Sequence, residues 1–207
     1  MKVTHSSKSK YFRPSILATA VGACYASTVP LTALALPPGS QCPKGYYGDE
    51  GSSDCAPADP GFYVDISGAT EQTACLAGSY TDTTGQTACA LAEPGYAVDG
   101  DGMSVQSACA VGTFAPSFGM TQCGLADFGH YVDQPQASAQ IPCIAGRYND
   151  SQGATSASAC VPADIGYFVA STGAVSQEAC LEGRYAPFTG LESCTDASIG
   201  FFVGSSA

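Results

Sequence analysis

The chain has 207 residues, with 18 Asp or Glu against seven Lys or Arg, 24 Gly, 13 Pro, 11 Cys and no Trp. Four of the basic residues (Lys2, Lys8, Lys10, Arg13) stand at the N-terminus, so the chain beyond residue 35 keeps Lys44, Arg147 and Arg184 against all 18 acids, a net charge of −15. A surface that negative repels nucleic acid and anionic membranes, which excludes phosphate-binding functions.

Residues 1–35 read as a secretory signal peptide. The basic start MKVTHSSKSKYFRP runs into the apolar, small-residue stretch SILATAVGACYASTVPLTALA, and Ala33-Leu34-Ala35 supplies an A-x-A cleavage site. The alternative is a lipoprotein signal in which Cys24, at the end of Val21-Gly22-Ala23-Cys24, carries the lipid. A transmembrane anchor fits less well, because Pro30 and several polar residues interrupt a run that falls short of about 20 apolar residues. Cleavage removes Cys24 and leaves ten cysteines, an even number in a chain bound for an oxidising compartment, where disulfides are expected. So small a supply of large apolar side chains needs covalent staples.

After a short linker, 36–41, a tandem repeat fills 42–203, and 204–207 are the truncated end of the last half-unit. Cys42, Cys75, Cys109, Cys143 and Cys180 each open a unit, and between them Ala58, Ala92, Ala126, Ala163 and Ala197 open others. The steps are 16, 17, 17, 17, 17, 17, 20, 17 and 17 residues, the mark of stacked modules. Three positions after every opening residue stands a glycine, from Gly45 to Gly200, where φ freedom or a close backbone approach is needed. Five positions after it comes an aromatic ring in nine units of ten, with Ala97 the exception, and these rings are expected to form a spine of apolar contact. A second glycine near the tenth position, such as Gly85 or Gly119, marks a turn between two short extended pieces. No segment beyond the leader has a helical period.

The second cysteine lies 14 residues after the first in three cysteine units, 13 in the unit of Cys42 and 17 in the unit of Cys143. At that place the alanine units carry Gln72, Gln106, Gln140 and Gln177, so both sulfurs are lost together. Pairing between neighbouring units would leave orphan thiols; pairing within units leaves none. Of roughly nine hundred ways to pair ten cysteines, the repeat therefore selects Cys42–Cys55, Cys75–Cys89, Cys109–Cys123, Cys143–Cys160 and Cys180–Cys194. Val64, Val98, Val132, Val169 and Val203, six past the openings of the alanine units only, are expected to fill space that a sulfur bridge vacates.

The unit from Cys42-Pro-Lys-Gly45-Tyr-Tyr to Cys55, with its copies CLAGSYTDTTGQTAC, CAVGTFAPSFGMTQC and CLEGRYAPFTGLESC, resembles the ephrin-receptor-like cysteine-rich repeat of the growth-factor-receptor superfamily. It is also similar to the first module of TNF-receptor repeats. The resemblance covers residues 42–203 and implies a β-poor, disulfide-laddered rod outside the cell, without catalytic residues, used as a stalk or for protein contact. The departure is that alternate half-units here read Ala and Gln in place of cysteine.

Chemistry beyond disulfides finds little support. No C-x-x-C occurs, and the one histidine after the leader, His130, precedes the ring of Tyr131 in a slot that holds Phe62, Tyr96, Tyr167 and Phe201 elsewhere, so it reads as a packing or surface residue rather than a zinc ligand or general base. Asp99-Gly-Asp101-Gly begins like a calcium loop, but lacks the later ligands and reads as a solvated turn. Asn149-Asp-Ser151 is a glycosylation sequon.

The expected fold is a small disulfide-rich repeat array: an extended rod of stacked hairpin-like modules, mostly turns and short strands, with no helix after the leader. The expected function is that of a secreted or cell-surface, non-enzymatic interaction module, receptor-like or adhesive, with no cofactor and a protein partner. The alternative is a stalk that projects another domain. Because the pattern calls for a further glutamine and cysteine beyond Ala207, the chain is expected to be a piece of a longer protein.

Overall fold

The computed structural model describes residues 34–35, 41–51 and 54–200. Most of the expected leader, Cys24 included, lies outside the described residues, as do Phe202 and Val203.

Short sequence pieces with a glycine turn between them can make only small ladders, and the described chain is a succession of them. Strand β1 (Leu34–Ala35) and strand β2 (Tyr46–Tyr47) both pair antiparallel with β3 (Asp54–Pro57). Two residues of the expected cleavage site, Leu34 and Ala35, thus lie opposite Cys55 and Asp54. Eight further two-stranded hairpins follow, from Phe62–Tyr63 with Thr73–Ala74 to Arg184–Tyr185 with Thr195–Asp196. Each joins the residues just after a unit's first glycine to the residues just before the next unit opens. Among the described residues there is no α-helix; the one helical turn is a 3-10 turn at Ala157–Ala159, inside the longer loop of the unit of Cys143. No helix among them is long and apolar enough to cross a membrane.

A hairpin this small buries little alone, so each unit is tied to its neighbours by a repeated set of backbone hydrogen bonds. In the unit of Cys75, the Gly78 amide donates to Val98 O (2.8 Å), the Gly78 carbonyl accepts from Ala92 N (2.9 Å), and Cys75 O accepts from Gly102 N (2.7 Å). The unit of Ala92 repeats this set one step along: Gly95 N to Ala115 O (2.8 Å), Cys109 N to Gly95 O (2.9 Å) and Gly119 N to Ala92 O (2.8 Å). Cysteine and alanine units therefore share one ladder.

Units two apart also touch, and here the first glycine is indispensable. Gly95 has φ +88, and a Cβ built on it collides with the carbonyl oxygen of Gln136, in the next alanine unit. Gly78 stands in the same relation to the carbonyl of Gly119, in the next cysteine unit. Positive φ and a backbone at van der Waals distance each exclude a side chain, which accounts for a glycine in every unit.

The core is made of small residues. The opening residues Ala58, Cys75, Ala92, Cys109, Ala126, Cys143 and Ala163 are buried, together with position six, whether Val64, Thr81, Val98, Ala115, Val132, Asn149, Val169 or Ala186. This departs from the expected spine of rings. The aromatics at position five are only half-buried, and Tyr185 is exposed, while the exception Ala97 is buried. Hairpins in direct backbone contact leave little interior room, so the rings stay half-buried, Tyr47 packed against the cluster of Ala58, Val64 and Ala69.

Candidate interaction surface

The five cysteine units are closed by Cys42–Cys55, Cys75–Cys89, Cys109–Cys123, Cys143–Cys160 and Cys180–Cys194. Five disulfides belong to an oxidising environment.

The alanine units close the same loop without sulfur. In the unit of Ala126, the Asp127 amide donates to Gln140 Oε1 (2.7 Å), and Gln140 Nε2 donates back to the Asp127 carboxylate (2.7 Å). Asp59 with Gln72 (2.6 and 2.8 Å) and Asp164 with Gln177 (2.7 and 2.8 Å) repeat the clamp. Glu93 with Gln106 does so with a longer second bond (2.7 and 3.4 Å). A carboxylic side chain next to the opening residue lets one glutamine bridge backbone and side chain at once. Sequence reasoning noticed the glutamines but missed their partners. The signal was present: Asp59, Glu93, Asp127 and Asp164 follow the opening alanines, whereas Pro43, Leu76, Ala110, Ile144 and Leu181 follow the opening cysteines.

Valine at position six completes the exchange. Val64 packs in one buried cluster with Ala58, the residue that stands in place of a cysteine. In the unit of Cys42 the same position is Gly48, and a Cβ there would lie 3.1 Å from the Cys42 sulfur. Sulfur and valine thus occupy neighbouring space, and a unit has one or the other. Cysteine units keep position six small or polar. Thr81 accepts from Gly61 N through its hydroxyl (2.8 Å).

Asn149 fills position six in the unit of Cys143, and this corrects the reading of its sequon. Its side chain is 2% exposed, and Nδ2 donates to His130 O (3.0 Å) and Ser151 O (2.9 Å) while Oδ1 accepts from Ser151 N (3.1 Å). A side chain so committed is a core polar group, and the folded array does not present it for glycosylation.

The other singled-out residues have structural surroundings. The Nδ1 of His130 donates to Phe128 O (3.0 Å), and the ring edge lies against Gly173. Asp101 accepts from Ala77 N (2.8 Å), which ties the DGDG turn to the preceding unit. Among the described residues, no group of three or more His, Cys, Asp or Glu is placed to hold a metal ion.

Large apolar side chains are exposed on both kinds of unit, Ile66 and Ile165 on alanine units among them. Clamp carboxylates recur in the alanine units, and at the same position the cysteine units carry Pro43, Leu76, Ala110, Ile144 and Leu181. Three of the latter are large aliphatics left in water: Leu76 is 71% exposed, Ile144 65% and Leu181 77%. Two of them wall grooves of matching construction at alanine-to-cysteine junctions. One, of 440 Å³, is lined by Tyr63, Asp65, Leu76, Ser79 and Cys89 among others. Its counterpart, of 350 Å³, is lined by Tyr131, Pro142, Ile144, Arg147 and Cys160. Arg147 there takes the place of Ser79 and donates to Cys160 O (2.7 Å).

No family model matches the chain, and no curated protein is significantly similar to it. The reading of function therefore rests on the residues themselves.

Proposed function

We propose that this chain is a secreted or cell-surface protein-interaction module without enzymatic activity, delivered by the leader at 1–35 and akin to the ephrin-receptor-like cysteine-rich repeats. The observation that carries the reading is the recurrent groove at alanine-to-cysteine junctions, walled by the exposed Leu76 in one case and Ile144 in the other. A single exposed aliphatic is ordinary, but one set in the wall of a groove that recurs at matching positions suits a contact surface. The acidic remainder keeps the module soluble and steers basic partners toward it.

The stalk reading has its own support in the unbroken backbone ladder, which needs no ligand to be continuous. Chemical cross-linking of the purified, disulfide-intact chain to intact cells, followed by identification of the adducts, separates the two. The interaction reading expects a small, reproducible set of surface proteins that disappears when the chain is reduced and alkylated. Adducts no different from those of the reduced chain favour the stalk.

A further inference from the structure

The two matching grooves differ in charge, and that difference suggests an occupant. The groove between the units of Ala58 and Cys75 offers the Tyr63 ring, the Leu76 side chain and the Asp65 carboxylate around a space of 440 Å³. It lies within a part of the chain that holds twelve acidic residues and no lysine or arginine between Lys44 and Arg147. Asp65 is the one charged residue in its lining. The counterpart at Tyr131 and Ile144 is smaller, 350 Å³, and has a guanidinium in its wall and no carboxylate.

We propose that the groove at Tyr63, Asp65 and Leu76 docks an extended, lysine- or arginine-bearing segment of another protein, with one apolar side chain seated against Leu76. This rests on the interaction reading above and deepens it. A groove lined by both a carboxylate and a tyrosine suits an ammonium or guanidinium group, which either can attract. Leu76, 71% exposed, gains by burial under an aliphatic neighbour. Acidic segments are repelled. A second copy of this chain is a poor occupant, since it has three basic residues against 18 acids beyond residue 35. The Arg147 groove lacks the cation preference, so it serves as an internal control.

The test uses the full, disulfide-intact chain and two labelled synthetic peptides, one of alternating lysine and leucine, one of alternating glutamate and leucine. The lysine peptide is expected to bind saturably with a dissociation constant in the micromolar range, and the glutamate peptide not at all. Leu76→Ser should weaken the lysine peptide about tenfold and Asp65→Asn about threefold. Ile144→Ser and Phe118→Ser, which remove exposed apolar groups elsewhere, should leave it unchanged. Non-reducing mass mapping confirms that each variant keeps its five bridges.

Equal weakening by Leu76→Ser and Phe118→Ser would overturn the proposal, because the attraction would then be diffuse. So would binding of the glutamate peptide, or no effect of Leu76→Ser. Cell-surface adducts that persist in Leu76→Ser would remove the groove while leaving the interaction reading in place. Loss of all adducts from the native chain, with peptide binding intact, would do the reverse.

Discussion

In the unit that opens at Cys109 the two ends of the loop are joined by a bond to Cys123; in the next unit, at Ala126, they are joined by Gln140, which grips the amide and carboxylate of Asp127. The backbone ladder on either side does not register the change. A disulfide that closes about 15 residues contributes about 3 kcal/mol in the chain-entropy model. Two hydrogen bonds at an exposed site contribute about 1–2 kcal/mol, and valine in place of alanine at position six adds two buried carbons, about 1.6 kcal/mol. The two closures are of similar worth, so a chain can alternate them without weakening every second module. What differs is the surface each leaves behind: the clamp requires an acid after the opening residue, and the disulfide leaves that position open to Leu76, Ile144 or Leu181.

The largest expected effects are on what the two kinds of unit share. Gly95→Ala in an alanine unit and Gly78→Ala in a cysteine unit should each cost about 3 kcal/mol or more, from positive φ and collision with the carbonyl two units on. Chemical denaturation measures both, and a large inequality between them would show that the stacking differs by unit class.

Removal of one staple comes next. Cys75→Ala with Cys89→Ala should cost about 3 kcal/mol. Adding Leu76→Asp, Thr81→Val and Cys89→Gln to Cys75→Ala should recover about half of that or more, by building a clamp where the bridge was. No recovery would mean that the closures are not interchangeable.

A smaller effect, in the stabilising direction, is expected at Gln136. It holds φ +60 at the turn where other units carry glycine, the one non-glycine with positive φ among the described residues. Gln136→Gly should gain about 0.5–1 kcal/mol in the same denaturation assay by relieving left-handed strain, less the extra freedom of the unfolded chain.

The smallest concerns a cysteine-unit ring that feels the charge of an alanine-unit acid. Burial, then the charges of Glu93 and Asp82, hold the Tyr80 phenol above its ordinary value of 10.0. The folded chain thus favours the protonated phenol. That contribution is complete below the ordinary tyrosine range and is lost as pH rises through the raised value. Tyrosinate absorbance should show a late-titrating component that Tyr80→Phe removes.

Much of the fold was legible in the sequence because it is periodic. The unit boundaries, the glycine turns, the hairpins and the absence of long helices follow from recurrence, and joint loss of sulfurs specified the pairing. The rings at position five are half-buried rather than central, because backbones in contact leave room only for small and mid-sized side chains such as Ala, Cys, Val, Thr81 and Asn149. The sequon at Asn149 gave no sign of burial, since a three-residue motif does not reveal that position six points inward. The glutamine clamp was half legible: Gln72, Gln106, Gln140 and Gln177 were plain, but their acidic partners stand 13 residues away and needed the fold to bring them together. The grooves combine side chains from two units, which no single repeat displays.

Amide hydrogen exchange at Asp127 tests the clamp most directly. The account expects its N–H to be protected in the native chain and to exchange about tenfold faster in Gln140→Ala, the equivalent of about 1.4 kcal/mol, while the Gly129 and Cys143 amides on the shared ladder keep their protection. An Asp127 amide that exchanges freely in the native chain, or one whose protection survives the loss of Gln140, would contradict it.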